Sequence, residues 1–342
     1  MSHSLLANIW FVLWCVIWVA YFIFDSYTLG IGMMFPFITK NRQDRNQLQE
    51  IVGPFWNGAE VWLITAGGAT FAAFPAVYAD MFSFLYVPFY LALFGLIFRA
   101  VGLEFMHKDD NPIWVTSLKW SFSVASLVIP AVLGVLFANL FYGLEIGKNG
   151  MEGSLLGLFH PYAILGAIIF VLAFISAGVS WIHVKAEGPI LERADIIARW
   201  TTPALVAALA MFFVATANRT PIFERFNETP ILYVIPVIAL FSSFLVVLFI
   251  FKKKYLLALA SIADTIIFFF ATGFTGMYPN MLPSRISDTF SLTLNNSAAS
   301  QKSLQIMFIV ACIFVPIVLG YQFWTHYMFR ERVTNKDAQG YH

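Results

Sequence analysis

Long uninterrupted apolar runs dominate the chain, with short polar segments between them. The runs cover about residues 5–37, 54–77, 82–104, 113–142, 154–184, 201–217, 230–251, 255–277 and 303–328. A helix crosses the bilayer hydrocarbon with roughly 20 apolar residues, whereas a barrel strand uses about 10 of alternating polarity. The runs are continuous and of the helical length, so the pattern predicts an all-α polytopic membrane protein with nine transmembrane helices. The first run lacks a small-residue cleavage site followed by a polar mature chain, so it reads as a helix and not as a secretory signal. No connecting segment is long enough for a soluble domain, and residues 1–342 read as one integral membrane domain.

The connecting segments give the orientation, because Lys and Arg accumulate in cytoplasmic loops. Taken by parity, one set of loops holds 14 basic residues: Lys40, Arg42, Arg45, Arg99, Lys108, Lys185, Arg193, Arg199, Lys252, Lys253, Lys254, Arg330, Arg332 and Lys336. The other set holds 5, namely Lys148, Arg219, Arg225, Arg285 and Lys302, while Lys119 lies inside the fourth run. A missed or invented span would scramble this asymmetry. It predicts an N-terminus outside and a C-terminus inside.

Composition agrees. With 60% hydrophobic residues against 20 basic and 19 acidic ones, the chain has too little polar surface to wrap a water-soluble globule of its size. The composition excludes a nucleic-acid binder, the net charge of +1 suggests no strongly acidic or basic partner, and Cys15 and Cys312 form neither a disulfide framework nor a metal-ligand spacing. No P-loop, nucleophile elbow or H-E-x-x-H is present, so hydrolytic chemistry has no support. Of the six histidines, His3, His107, His160, His183, His326 and His342, the pair His160 and His183 lies roughly 34 Å apart along one helix. They cannot grip one iron, and the histidines read as interfacial. Met33, Met34 and Met307 read as core filler, and GIGMM at 30–34 and TAGGATFAAFP at 65–75 as sites of close helix approach.

Ionisable groups inside the spans are few, and each is a functional candidate because burial in lipid is costly. They are Asp25, Glu60, Arg99, Glu104, Lys119 and Asp264. On the orientation above, Glu60 and Asp264 lie about 13 Å and Asp25 about 16 Å from the cytoplasmic helix ends. The charge is therefore one-sided, as a proton or cation entry route from the cytoplasm requires. Against this stand structural readings: Lys119 snorkelling to the surface, Arg99 paired statically with Glu104, and Asp264 packed on another helix's polar face. Asp25 and Glu60, at similar depth on consecutive antiparallel helices, are expected to face one another or a shared cavity.

Several segments together resemble subunit II of the cytochrome bd-type quinol oxidases. They are FDSYTLGIGMMFPF (24–37), FWNGAEVWLITAGGATFAAFP (55–75), FRAVGLEF (98–105), FHPYAILGAIIFVLAF (159–174), KAEGPILERA (185–194), MYPNMLPS (277–284), SLTLNNSAAS (291–300) and VPIVLGYQFWTHYMF (315–329). The matches run in the expected order over nearly the whole chain. The resemblance implies two four-helix bundles plus one peripheral helix in a prokaryotic cell membrane. It also implies a partner, subunit I, that carries haems b558, b595 and d and oxidises quinol while dioxygen is reduced to water. This chain would ligate no cofactor or metal itself, and a small single-helix third subunit is compatible with the family.

By the same resemblance, Asp25 matches an acid of the proton route. Asn57 stands where the second-span motif usually carries Asp, and Glu60, three residues on, offers a carboxylate on nearly the same helix face. Thr28 replaces a second acid of the first span. Arg99 and Glu104 match a third-span pattern in which Ala100 replaces the usual Pro, and Trp62 matches a Trp near a proposed oxygen-access route, with a packed aromatic as its alternative. A competing reading of the residues alone is a secondary transporter or ion channel in which the inner carboxylates bind a coupling cation.

Overall fold

The computed structural model describes residues 1–148 and 150–334. Lys336 and His342, used above, lie outside the described residues. The chain is helical almost throughout, in the order α1 (His3–Ile38), α2 (Arg42–Val52), α3 (Trp56–Ala73), α4 (Pro75–Phe84), α5 (Tyr86–Phe105), α6 (Pro112–Tyr142), α7 (Pro161–Lys185), α8 (Ile190–Arg219), α9 (Ile222–Glu228), α10 (Val234–Phe251), α11 (Tyr255–Met277), α12 (Leu294–Ser297) and α13 (Gln301–Met328). Two small antiparallel pairs, Ile146–Gly147 with Gly150–Met151 and Asn280–Leu282 with Leu292–Thr293, tie down the loops that follow α6 and α11.

Among the described residues eight helices are long and apolar enough to cross a membrane: α1, α5, α6, α7, α8, the 230–251 segment containing α10, α11 and α13. That is one fewer than the nine apolar runs. The second run becomes α3, whose Asn57, Glu60, Thr65, Thr70 and three glycines dilute its apolarity and whose 18 residues span about 27 Å. The expected loop near 78–81 is helical instead. Pro75 lacks an N–H and disfavours the α conformation of the residue before it, so the chain breaks at Phe74 (φ −134°, ψ 67°); a second break falls at Leu85. At the other extreme α8 begins eleven residues before the run at 201, because Ile190, Ala194 and Ala198 repeat every fourth position and bury one face of an amphipathic turn sequence.

α1 is the hub, packing against α3, α6, α7, α11 and α13. Its contact with α7 is close because Gly30 and Gly178 meet: a Cβ on Gly178 would lie 2.6 Å from the Gly30 carbonyl carbon. Small residues permit such backbone approach where lipid gives helices no hydrophobic drive to associate. Around the hub, Phe22 stacks on Phe270 of α11 at 4.7 Å and meets Phe137 of α6 and Phe170 of α7 edge-on. α13 is the least embedded, with Leu304, Gln322 and Thr325 as its buried residues.

At the end of the bundle carrying Lys40, Lys252–Lys254 and Arg330, the basic end, the Arg193 guanidinium donates to Asp44 Oδ2 at 2.6 Å. The strand after α13 returns over the same end: the Lys185 ammonium donates to the Phe329 carbonyl, and Val333 N–H donates to the Lys185 carbonyl at 2.8 Å.

Candidate functional site

The site is built by one inward stripe from each of three helices. On α1, Asp25 and Thr28 are three residues apart and so share a face. On α5 the buried positions Pro88, Ala92, Gly95, Arg99 and Gly102 form the inward stripe, while Phe94, Ile97, Phe98 and Val101 point away from the chain. Arg99 is thereby driven into the bundle with no exposed surface, as is Asp25. The two form a bidentate pair, Nη1 donating to Oδ2 at 2.8 Å and Nη2 to Oδ1 at 2.7 Å. Such fork-on-fork geometry is the strongest form of ion pair available to a carboxylate. Nη2 also donates to Thr28 Oγ1 at 2.8 Å, and the Thr28 hydroxyl in turn donates to Asp25.

Glu60 enters from α3. Its Oε1 lies 3.4 Å from Arg99 Nη1, its side chain keeps 18% of its surface, and Oε1 accepts no hydrogen bond. It sits one turn, about 6 Å, into α3, nearer a helix end than the 13 Å read from the sequence, because the helix starts at Trp56 and not within the preceding amphipathic α2. Two further polar atoms in this region, Arg99 Nε and the Tyr21 hydroxyl, are buried without a hydrogen-bond partner. Buried polar atoms are rarely left so, and here they lie beside a buried ion pair. Toward the other end of α1, Trp14, Trp18, Tyr21 and Phe22 close the bundle with aromatic rings.

The expected site residues thus divide. Asp25, Arg99 and Glu60 come together. Asn57 is exposed and Glu104 half-buried, and neither contributes a polar contact to the pair; the static partner of Arg99 is Asp25, not Glu104. Trp62 is buried, stacks on Phe24 at 5.6 Å, and leaves its indole N–H unpaired. Asp264 does not pack on another helix of this chain: it is exposed on α11, and Lys119 is half-buried. Thr28 and Tyr21 were not singled out as site members from sequence, although their spacing of +3 and −4 from Asp25 on one helix face was a usable signal.

The histidines are engaged elsewhere. His160 bonds Asn139 Oδ1 and the Ala163 N–H, and His326 bonds the Gln322 carbonyl and the Tyr27 hydroxyl. His183 bonds the Val179 carbonyl, and its Nε2 lies 3.0 Å from Asp195. Both ring nitrogens of each therefore face protein groups, and among the described residues no three His, Cys, Asp or Glu side chains converge as metal ligands.

Fold and site together describe a helical multi-pass membrane protein that seals an Arg–carboxylate pair and leaves a second acid half-open. The chain belongs to the family described as cytochrome bd terminal oxidase subunit II, which it matches over residues 6–329. It is 33% identical over 341 residues to cytochrome bd ubiquinol oxidase subunit 2 of Bacillus subtilis, covering 98% of this chain and 99% of that protein. It is 28% identical over 370 residues to cytochrome bd-I ubiquinol oxidase subunit 2 of Escherichia coli, with 99% and 98% covered. The fold is shared with a chain of the bd oxidase from Geobacillus thermodenitrificans at a TM-score of 0.79 and 16% identity, over 95% of this chain and 98% of that one.

Proposed function

We propose that this chain is the non-haem subunit II of a quinol:dioxygen oxidoreductase of a prokaryotic cytoplasmic membrane, and that it conducts protons from the cytoplasm toward a haem-bearing subunit I. The reading takes the α3–α4 segment as the ninth span and the whole chain as one membrane domain. It arranges them as two four-helix bundles plus a peripheral helix, α13, with the basic end cytoplasmic. The family membership supports the assembly and the haems of the partner. Quinol and dioxygen are then substrates of the complex, and this chain's residues perform no redox step.

The single observation that carries the proton reading is the asymmetry between the two acids. Both oxygens of Asp25 are held by Arg99, so a proton reaching Asp25 must displace a guanidinium bond. Glu60 has an unbonded Oε1 beside the same guanidinium and keeps contact with its surroundings. Glu60 is therefore the carrier, while Asp25 and Arg99 fix the field it works in and Thr28 holds them in register. Asn57 and Glu104 lie toward the entry side of this path, and Trp62, beside Phe24, lines the candidate route for oxygen.

A coupling-cation site wants acids free to ligate, and here the deepest acid is already neutralised by Arg99. The partner-facing surface is read from α3, α5 and α13. Thr65 and Gly68 are exposed on the least apolar span, and a side chain at Gly68 would meet nothing of this chain within 4 Å. Polar and small residues at membrane depth fit a protein neighbour better than lipid.

The test is quinol oxidase turnover of the purified complex carrying Glu60→Gln or Asp25→Asn. Glu60→Gln is expected to lower turnover by about tenfold or more, within the range seen when a proton-transferring group is lost, while haem content stays unchanged. Unaltered turnover with Gln at position 60 rejects the carrier role.

A further inference from the structure

A groove of about 680 Å³ runs between α1 and α11 on the surface of the bundle, away from the Asp25–Arg99 pair. Its body is apolar. Along α1 it extends from Asn8 to Phe24, sixteen residues or about 24 Å at helical rise. A bilayer with its headgroups measures about 40–45 Å, so the groove is as long as one leaflet, head and tail together.

Its polar atoms are gathered at the end away from the basic end. There the Tyr278 hydroxyl donates to Asn8 Oδ1 at 2.7 Å, and Arg225 Nη1 donates to the Tyr278 carbonyl at 2.7 Å while its guanidinium lies 4.7 Å over the Tyr278 ring. Arg225 is the one charged residue lining the groove, and it has no carboxylate within 4.0 Å among the described residues. Arg225 and Tyr278 also border a polar recess beyond the groove's rim, which the exposed Glu224 and Glu228 of the same short helix line together with Arg219, Arg285 and Asp288. The guanidinium uses one of its donors on the protein and stands where the apolar groove, of leaflet length, meets the polar recess.

We propose that this groove holds one anionic phospholipid of the leaflet on the N-terminal side of α1, its phosphate on Arg225 and its acyl chains along α1 and α11. Arg pairs with phosphate through parallel N–H donors. The proposal is independent of the proton reading above.

The test uses the intact complex in mild detergent, incubated with phosphatidylglycerol or phosphatidylethanolamine and weighed by native mass spectrometry. Retention of phosphatidylglycerol over phosphatidylethanolamine is expected. Arg225→Gln is expected to cut it about tenfold, the factor of one charge-assisted hydrogen bond, Arg225→Lys to cut it less, and Ala271→Phe to obstruct the acyl channel and lower it too. A phosphatidylglycerol carrying a photoreactive acyl chain, used on the unaltered complex, should label α1 and α11 within residues 15–20 and 267–271. Labelling elsewhere overturns the proposal, as does retention indifferent to headgroup and to Arg225, or an uncharged isoprenoid recovered from the groove in the lipid's place.

Discussion

Arg99 and Asp25, 74 residues apart on α5 and α1, bind each other through two parallel hydrogen bonds of 2.7 and 2.8 Å with neither side chain reaching the surface. A buried pair of this kind costs much to desolvate, so its net contribution to stability is small, but removing one partner strands an uncompensated charge. The pair therefore governs which substitutions the bundle tolerates.

Arg99→Leu is expected to destabilise the subunit by about 3–5 kcal/mol, the usual consequence of breaking a buried pair from one side. Asp25→Leu together with Arg99→Leu should recover most of that loss. Fluorescence-detected size exclusion after heating the solubilised protein compares the two variants with the unaltered chain. A double variant as unstable as the single one would show that the stranded Asp25 charge is not the cause.

Gly68 separates folding from association. Because nothing of this chain lies within 4 Å of a Cβ built there, Gly68→Phe should leave the isolated subunit's thermal midpoint unchanged. The same variant should lose co-purification of the haem-bearing partner, read as haem absorbance per mole of this chain. Full haem recovery would move the partner surface away from α3.

His160 caps α7 from outside the span, its Nδ1 accepting from the Ala163 N–H at 3.3 Å. Burial, with the cations Arg285 and Arg219 nearby, lowers its pKa below the ordinary imidazole value of 6.5. The folded state thus favours the neutral ring while the unfolded chain takes up a proton at the ordinary value. The stability this group contributes is complete above about pH 6.5 and declines as the pH falls below it toward the lowered folded value. Thermal midpoints measured from pH 7.5 to 5 should fall on the acidic side, with a shallower fall in His160→Asn, which keeps a capping oxygen without the titration. Equal slopes would assign the pH dependence to other groups.

Much of the architecture was legible because lipid imposes a length on every span. The runs at 113–142, 255–277 and 303–328 became α6, α11 and α13 with ends shifted by two residues or less. The breaks at Phe74 and Leu85 were less legible, since a Pro in an apolar run allows either a kink or a loop. The short helices α2, α9 and α12 were missed because amphipathic and polar stretches of that length are indistinguishable from loops by apolarity alone.

Local composition and spacing were enough to read a helical membrane protein, the few charged residues inside it, and the family its motifs resemble. Helix packing was needed to show that Arg99 closes on Asp25 and not on Glu104, that Glu60 joins them while Asn57 does not, and that Asp264 is exposed. Those outcomes depend on how far each helix is rotated about its axis against its neighbours, and rotation is fixed by contacts such as Gly30 on Gly178 and Phe22 on Phe270 between residues that no local pattern connects.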